Sequence, residues 1–326
     1  MVPCLSTPLV LSFFVLGDDI LIDTHYDLLT ILYCCYLRND YSYIEKIKED
    51  LKDVKGLIAN LYFMKPKEMK EELGIDNIDV YEMFKISTNL FKEHFKDKKV
   101  IFSIEGCDYI KDTDELENLY KLGLRNILLV WNNENKYGSG NRSSKGLTKL
   151  GEEFIKKAVE LGISIDLSHM NKNTFNDTIN LLDKLKDQYK IKVLASHSNC
   201  YELCNNTRNL DDEQIRKIKK LNGMVGLVSY GPFINDKLED LEVNYLKHIK
   251  HMEEIIGIDN IMIATDNMDF ASYFYIDMDG IDEEESLLKH NGIVNKLTTI
   301  LKNSYNLEDM KKIMYKNVER LFSNSL

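Results

Sequence analysis

The chain predicts an α/β fold, a (β/α)8 barrel of the TIM type with extra C-terminal helices, and three observations carry that expectation. Eight short β-branched or aliphatic runs recur along the sequence, too uniformly apolar to be half-exposed antiparallel strands. Longer stretches of helical period separate them. No GxGxxG turn follows the first run, which counts against the alternative, an open doubly wound sheet.

In order, the runs span residues 20–24, 56–63, 100–104, 126–130, 164–167, 192–196, 224–229 and 260–265. Residues 147–161 typify the segments between them: Leu150, Phe154, Ala158 and Leu161 share one helical face, while Glu152, Glu153, Lys156 and Lys157 point away. Eight parallel strands, each followed by a helix, close most economically into a barrel, and the helices after Glu283 then pack outside it. One connection is long and polar. Residues 132–146, rich in Asn, Ser and Gly, follow the fourth run at the barrel end where active sites lie, and read either as a lid or as a solvated insertion.

The expected organisation is one domain over residues 20–326 behind an extension of 1–19. The apolar stretch 9–16 has no Lys or Arg ahead of it and is too short to span a bilayer. It reads as an extension in a cytoplasmic protein, the alternative being a degenerate export signal cut near Gly17. The last residues, Leu321 to Leu326, lack the hydrophobic tail of a glycolipid anchor.

Composition narrows the partners. With 44% hydrophobic and 29% charged positions in 326 residues, disorder and low-complexity architectures are excluded. Asp and Glu number 53 against 42 Lys and Arg, a formal charge of −11 that repels the phosphates of a nucleic acid. The six cysteines, at 4, 34, 35, 107, 200 and 204, form no CxxC pair and read as reduced thiols. Pairing of two copies as a homodimer stays open.

In a (β/α)8 enzyme the reacting groups stand at the C-terminal ends of the strands. Here those ends carry His25 and Asp27 (first), Glu105 (third), His169 (fifth), His197 (sixth) and Asp266 (eighth), while the seventh ends at Tyr230. The chain has seven histidines, and three of them fall at strand ends rather than on solvated helices. Three imidazoles with two or three carboxylates exceed the needs of one tetrahedral zinc and suit two divalent ions sharing a bridging carboxylate. Such a pair lowers the pKa of a shared water towards about 7 and polarises a carbonyl, which is hydrolytic equipment.

The segments Asp23-Thr24-His25-Tyr26-Asp27, Ser103-Ile104-Glu105-Gly106, Asp166-Leu167-Ser168-His169, Ala195-Ser196-His197-Ser198-Asn199, Arg208-Asn209-Leu210 and Thr265-Asp266 occur in an order that resembles the membrane (renal) dipeptidase family of the amidohydrolase superfamily. The resemblance implies that His25 and Asp27 bind one Zn2+, that His169 and His197 bind the other, and that Glu105 bridges them. It further implies that Arg208 takes the C-terminal carboxylate of a small dipeptide, for which a planar bidentate donor is apt, with Tyr230 assisting. The implied reaction is attack of the bridging hydroxide on the peptide carbonyl, Asp266 taking a proton and handing it to the departing amine. Other readings are a dizinc hydrolase of another small amide, an N-acyl amino acid or cyclic amide, and a non-catalytic metal-binding barrel. Asp266 could instead cap a helix or ligate a metal, and Arg208 could be a solvated loop residue.

The chain departs from the family after the fourth run, where a histidine that polarises the scissile carbonyl in some members is replaced by Leu129-Val130-Trp131-Asn132. Oxyanion stabilisation therefore falls to Asn132 or to the metals, or substrate preference differs. His248 and His251, flanked by Lys247 and Lys250, read as a solvated helix face. Asp277-Met278-Asp279-Gly280 fails the register of a calcium loop. Cys107 could lie near the metals but has no evident catalytic partner.

Overall fold

The computed structural model describes residues 21–63, 70–71, 74, 76–267 and 286–323. The expectations for residues 1–19 and for Asp277 to Gly280 lie outside them. The strands are β1 Leu21–Tyr26, β2 Val54–Tyr62, β3 Lys99–Glu105, β4 Leu124–Leu128, β5 Ser164–Asp166, β6 Val193–Ala195, β7 Met224–Val228 and β8 Ile261–Ala264. They form one sheet in sequence order, every neighbouring pair parallel. Around them lie α1 Leu28–Arg38, α2 Ser42–Asp50, α3 Val80–His94, α4 Thr113–Leu122, α5 Lys149–Glu160, α6 Lys172–Leu185, α7 Asp212–Lys220, α8 Gly231–Ile234, α9 Leu241–Ile256, α10 Ile293–Leu301, α11 Leu307–Lys311 and α12 Asn317–Leu321. This is the (β/α)8 barrel that the alternation predicts.

Two apolar layers hold it. The larger lies between sheet and helices, where α3 contributes Phe84 and Phe91 and α6 contributes Phe175 and Leu182. The smaller fills the barrel floor: Ile22, Ile58, Ile101, Leu194, Met224 and Met262 project from the strands onto Val318 and Phe322 of the C-terminal helix region. Leu150 corrects the helical reading of residues 147–161. Phe154 and Ala158 are buried, but Leu150 sits in the first turn of α5 at 43% exposure, before that helix has reached the sheet.

Side chains complete the seam between β8 and β1. The Asp23 carboxylate accepts the Thr265 amide (2.9 Å), the Thr265 hydroxyl (2.5 Å) and the His25 amide (3.1 Å), while the Asp266 amide donates to the His25 carbonyl (3.1 Å). His290 brings Nε2 to 2.8 Å from the same carboxylate and packs its ring edge-on against Tyr26. Thr24 Oγ1 lies 2.7 Å from Ser196 O and 3.0 Å from Ile263 O. Beneath it Gly226 is required, since a Cβ there would stand 1.9 Å from Ser196 O and 2.4 Å from Thr24 Oγ1.

Asp23 and His290 are both buried, so removing one partner strands a charge or an imidazole without its main contact. His290→Ala should therefore cost about 3 kcal/mol of stability, read as a lowered midpoint in urea unfolding; an unchanged midpoint would show that the seam holds without it.

Candidate metal centre

Local backbone features aim the predicted residues inward. Across Asp23 to Tyr26, β1 carries one residue more than β2 opposite, a bulge of the kind that redirects a side chain at a barrel rim. Asp27 occupies the N-cap of α1 but makes no side-chain cap bond, and its Oδ1 is buried without a hydrogen-bond partner. An aspartate that forgoes its cap and stays orphaned is placed for another electrophile. Glu105 is the last residue of β3, whereas His169 and Asp266 follow β5 and β8 at φ +68° and +50°, conformations that cost a non-glycine residue about 1–3 kcal/mol. His197 lies two residues beyond β6.

These groups converge. Glu105 Oε2 lies 3.1 Å from His25 Nε2, and its other oxygen lies 2.9 Å from His169 Nε2 and 3.8 Å from His197 Nε2. His25 Nε2 also faces Asp27 Oδ1 at 3.8 Å and Asp266 Oδ1 at 3.7 Å, and the Nε2 atoms of His169 and His197 are 2.9 Å apart. The single carboxylate thus separates a half with His25, Asp27 and Asp266 from a half with His169 and His197. The donor chemistry fits divalent cations: imidazole nitrogens and carboxylate oxygens turned towards one another, all but Asp266 buried, with an orphaned oxygen among them.

Partners behind the ligands set the imidazole orientation. His169 Nδ1 donates to Asn132 Oδ1 (2.8 Å), which leaves its Nε2 lone pair facing Glu105. His197 Nδ1 lies 2.8 Å from Ser196 Oγ, whose hydroxyl in turn bonds the buried Asp166. The same Oγ is 3.3 Å from His25 Nδ1. Asn60 Nδ2 is 3.1 Å from that nitrogen, and the Oδ1 of Asn60 has no partner. A half-turn of this amide gives Oδ1 the Nδ1 proton and frees Nε2 of His25 for a metal.

Burial and crowding polarise the titrations. Burial works against charge on His25, but Glu105, then Asp266 and Asp27, outweigh it and push the imidazole up to about 10. Burial and the nearby Arg208 bring His169 down to about 3, and burial with the His25 charge holds His197 well below its usual range. Glu105 is held low against its burial by His25 and His169, while burial raises Asp27 and Asp266. Several buried acids around one cationic imidazole is a site short of positive charge.

A cavity of about 190 Å³ opens onto these groups, lined also by Tyr62, Trp131, Arg142, Arg208, Tyr230 and Phe233. Arg208 is not a solvated loop residue: it is 7% exposed, its Nη2 is buried without a partner, and burial lowers it to about 10. Tyr230 shares the cavity and packs edge-on against Phe233, over whose ring Arg208 lies at 5.6 Å. Residues 132–146 form part of the wall. Tyr137, Gly138, Ser139 and Gly140 are buried there, Asn132 holds His169, and Asn141 and Arg142 line the opening, so the solvated-insertion reading fails. His169 takes only the side-chain oxygen of Asn132, which lines the same cavity, so its amide Nδ2 keeps the donors that an oxyanion would need.

Two set-aside readings change. His248 is buried rather than solvated: Nδ1 accepts the Cys200 amide (3.1 Å) and Nε2 donates to Ile234 O (3.0 Å), while the flanking lysines point elsewhere on α9. His251 is half-buried and pairs with Asp212 at 2.7 Å. Cys107 is buried with its thiol on Leu128 O, and the five described cysteines are free. Sequence reasoning assigned no role to Asn60, Asp166, Ser196 or His290; for the first three the available signal was a polar residue inside or at the end of an apolar run.

Ser196→Ala removes the hydroxyl that both His25 and His197 face. Divalent-metal affinity, measured by competition with a chromogenic chelator, should weaken about 10- to 100-fold with the fold retained; unaltered affinity would make the hydroxyl structurally incidental.

Comparison with known proteins bears on the family and the fold. The family model described as "Membrane dipeptidase (Peptidase family M19)" matches residues 77–325. An uncharacterised Klebsiella pneumoniae protein from the region 5′ of pqqA is 29% identical over 238 residues, 69% of this chain and 81% of that one. A Rhodobacter sphaeroides metallopeptidase, solved with a phosphinate mimic of the dipeptide L-Ala-D-Ala, superposes with a TM-score of 0.73 at 20% identity over 95% of this chain and 100% of that one. A second solved metallopeptidase, dipeptidase AC, gives a TM-score of 0.71 at 22% identity over 95% and 99%. At these identities the structural likeness speaks for the barrel, whereas the family model spans most of the sequence. The chain belongs to the membrane dipeptidase family.

Proposed function

We propose that this chain is a dizinc dipeptidase acting on dipeptides with a free C-terminal carboxylate. The observation that carries this reading is Arg208, a buried guanidinium with an unpartnered Nη2, lining the same small cavity as Asp27, Glu105, His169 and Asp266. A buried cationic donor without a partner costs stability, and a substrate carboxylate offsets that cost. The ligand of the Rhodobacter protein, a dipeptide mimic, is of the class proposed here.

In this reading His25 and Asp27 would hold one Zn2+ and His169 and His197 the other, with Glu105 shared between them. The bound ions supply an activated water and polarise the scissile carbonyl. Arg208 fixes the substrate's carboxylate end, with Tyr230 beside it, so the peptide bond is set over Glu105 and Asp266. Asp266, whose carboxyl is raised from its ordinary range by partial burial, accepts a proton from the attacking water and delivers it to the leaving amine. Trp131 stands beside Tyr62 and His169, and supplies shape where some relatives have a charged imidazole.

Elemental analysis should find two zinc equivalents per chain, lost with activity on dialysis against a chelator. Asp266→Asn should lower kcat by about 10³-fold while both metals stay bound, since general acid–base groups contribute about 10²–10⁴. Metal retention with unchanged turnover would overturn the assignment. Arg208→Met should lower kcat/KM for Ala-Ala by about 10- to 100-fold, mostly through KM, and leave turnover of a C-terminally amidated substrate unaffected. Activity confined to amides without a carboxylate would remove the dipeptidase reading.

A further inference from the structure

A second cavity, about 320 Å³, adjoins the first and shares Asn141, His169 and Arg208 with it. Nothing in the metal chemistry uses it. Ser198 lines this cavity at 1% exposure, and its hydroxyl has no hydrogen-bond partner among the described residues. Asn141 lines it too; its Nδ2 is spent on Thr207 Oγ1 (3.1 Å), while its buried Oδ1 is unpartnered. A buried acceptor and a buried hydroxyl left unmade cost about 1–3 kcal/mol each, so both gain from a ligand that supplies a donor and an acceptor.

The charge balance narrows the ligand. Lys172 lines the cavity, but its Nζ is held at 2.7 Å by Asp211, which lines it as well. With Arg208 committed to the main-chain carboxylate, no unpaired charge remains among the described lining residues to select an acid or a base. Leu167, Met170 and Leu210 add apolar wall suited to methylenes.

Resting on the dipeptidase reading, we infer that this cavity receives the side chain of the substrate's C-terminal residue and prefers a neutral amide such as that of glutamine. A carboxylate seated on Arg208 places the adjoining Cα at the junction of the two cavities. The side chain then extends into the second one, its amide N–H meeting Asn141 Oδ1 and its carbonyl accepting from the Ser198 hydroxyl. A methyl group leaves both atoms unsatisfied, and an aliphatic chain buries them further.

The test compares kcat/KM of the zinc-loaded protein for Ala-Gln, Ala-Glu, Ala-norleucine and Ala-Ala, each with an L and a D C-terminal residue. Gln should exceed its near-isostere norleucine by about 10-fold or more, and should exceed Glu, in the preferred stereochemical series. Ser198→Ala and Asn141→Ala should each bring the Gln-to-norleucine ratio towards one, chiefly by raising KM for Ala-Gln. Norleucine or Glu cleaved as well as Gln by the unaltered protein overturns the inference without any variant. Dipeptides cleaved without this preference remove it alone; a zinc-loaded protein that cleaves none removes the dipeptidase reading and the inference with it.

Discussion

A buried carboxylate with four donors around it holds the working end of the barrel together. Asp23 is fully buried, and its cost of leaving water is met by two amides, the Thr265 hydroxyl and His290. Those donors come from β1 itself, from the end of β8 and from a segment more than 260 positions away in the chain. Without that knot, the last strand would meet the first only through scattered backbone contacts. His25 and Asp266, at 3.7 Å, owe their approach to it.

From that closure follows a rim whose electrostatics run against ordinary folding preferences. Two buried carboxylates, three buried imidazoles and the partly exposed Asp266 are gathered together, two of the six in left-handed backbone and one at a helix N-cap it does not cap. Each departure opposes stability, and the apolar floor and the sheet–helix layer have to outweigh them all. Local rules broken at several neighbouring positions, in a barrel otherwise consistent with them, mark where function has overridden stability. The rear partners share this economy: Ser196 Oγ serves both His25 and His197, so one hydroxyl links the two halves of the cluster.

The barrel was legible because each strand is buried on both faces, leaving continuous apolar runs of the right length. Strand ends located in this way also exposed the donor residues, since His25, Glu105, His169, His197 and Asp266 each follow or end such a run. What escaped was set by long-range contact. His248 sits between lysines in a polar helix, and nothing local announces that its ring plugs against the Cys200 amide and Ile234. The role of His290 depends on a chain reversal back to β1. Asn132 could be read as a free amide only because its partner, His169, lies 37 positions on. Leu150 belongs to the apolar stripe by periodicity, yet a helix's first turn can overhang the sheet that the rest of it covers.

The stoppered floor of the barrel has a kinetic consequence. Val318 and Phe322 close the end opposite the rim, packed on Ile22, Ile58, Ile101 and Met262. Among the described residues that end is plugged by side chains, so a molecule bound in the cavity at the rim would come and go on the rim side. In the proposed reaction, a freed amino acid gripped through its carboxylate by Arg208 would hold up the next molecule arriving from that side.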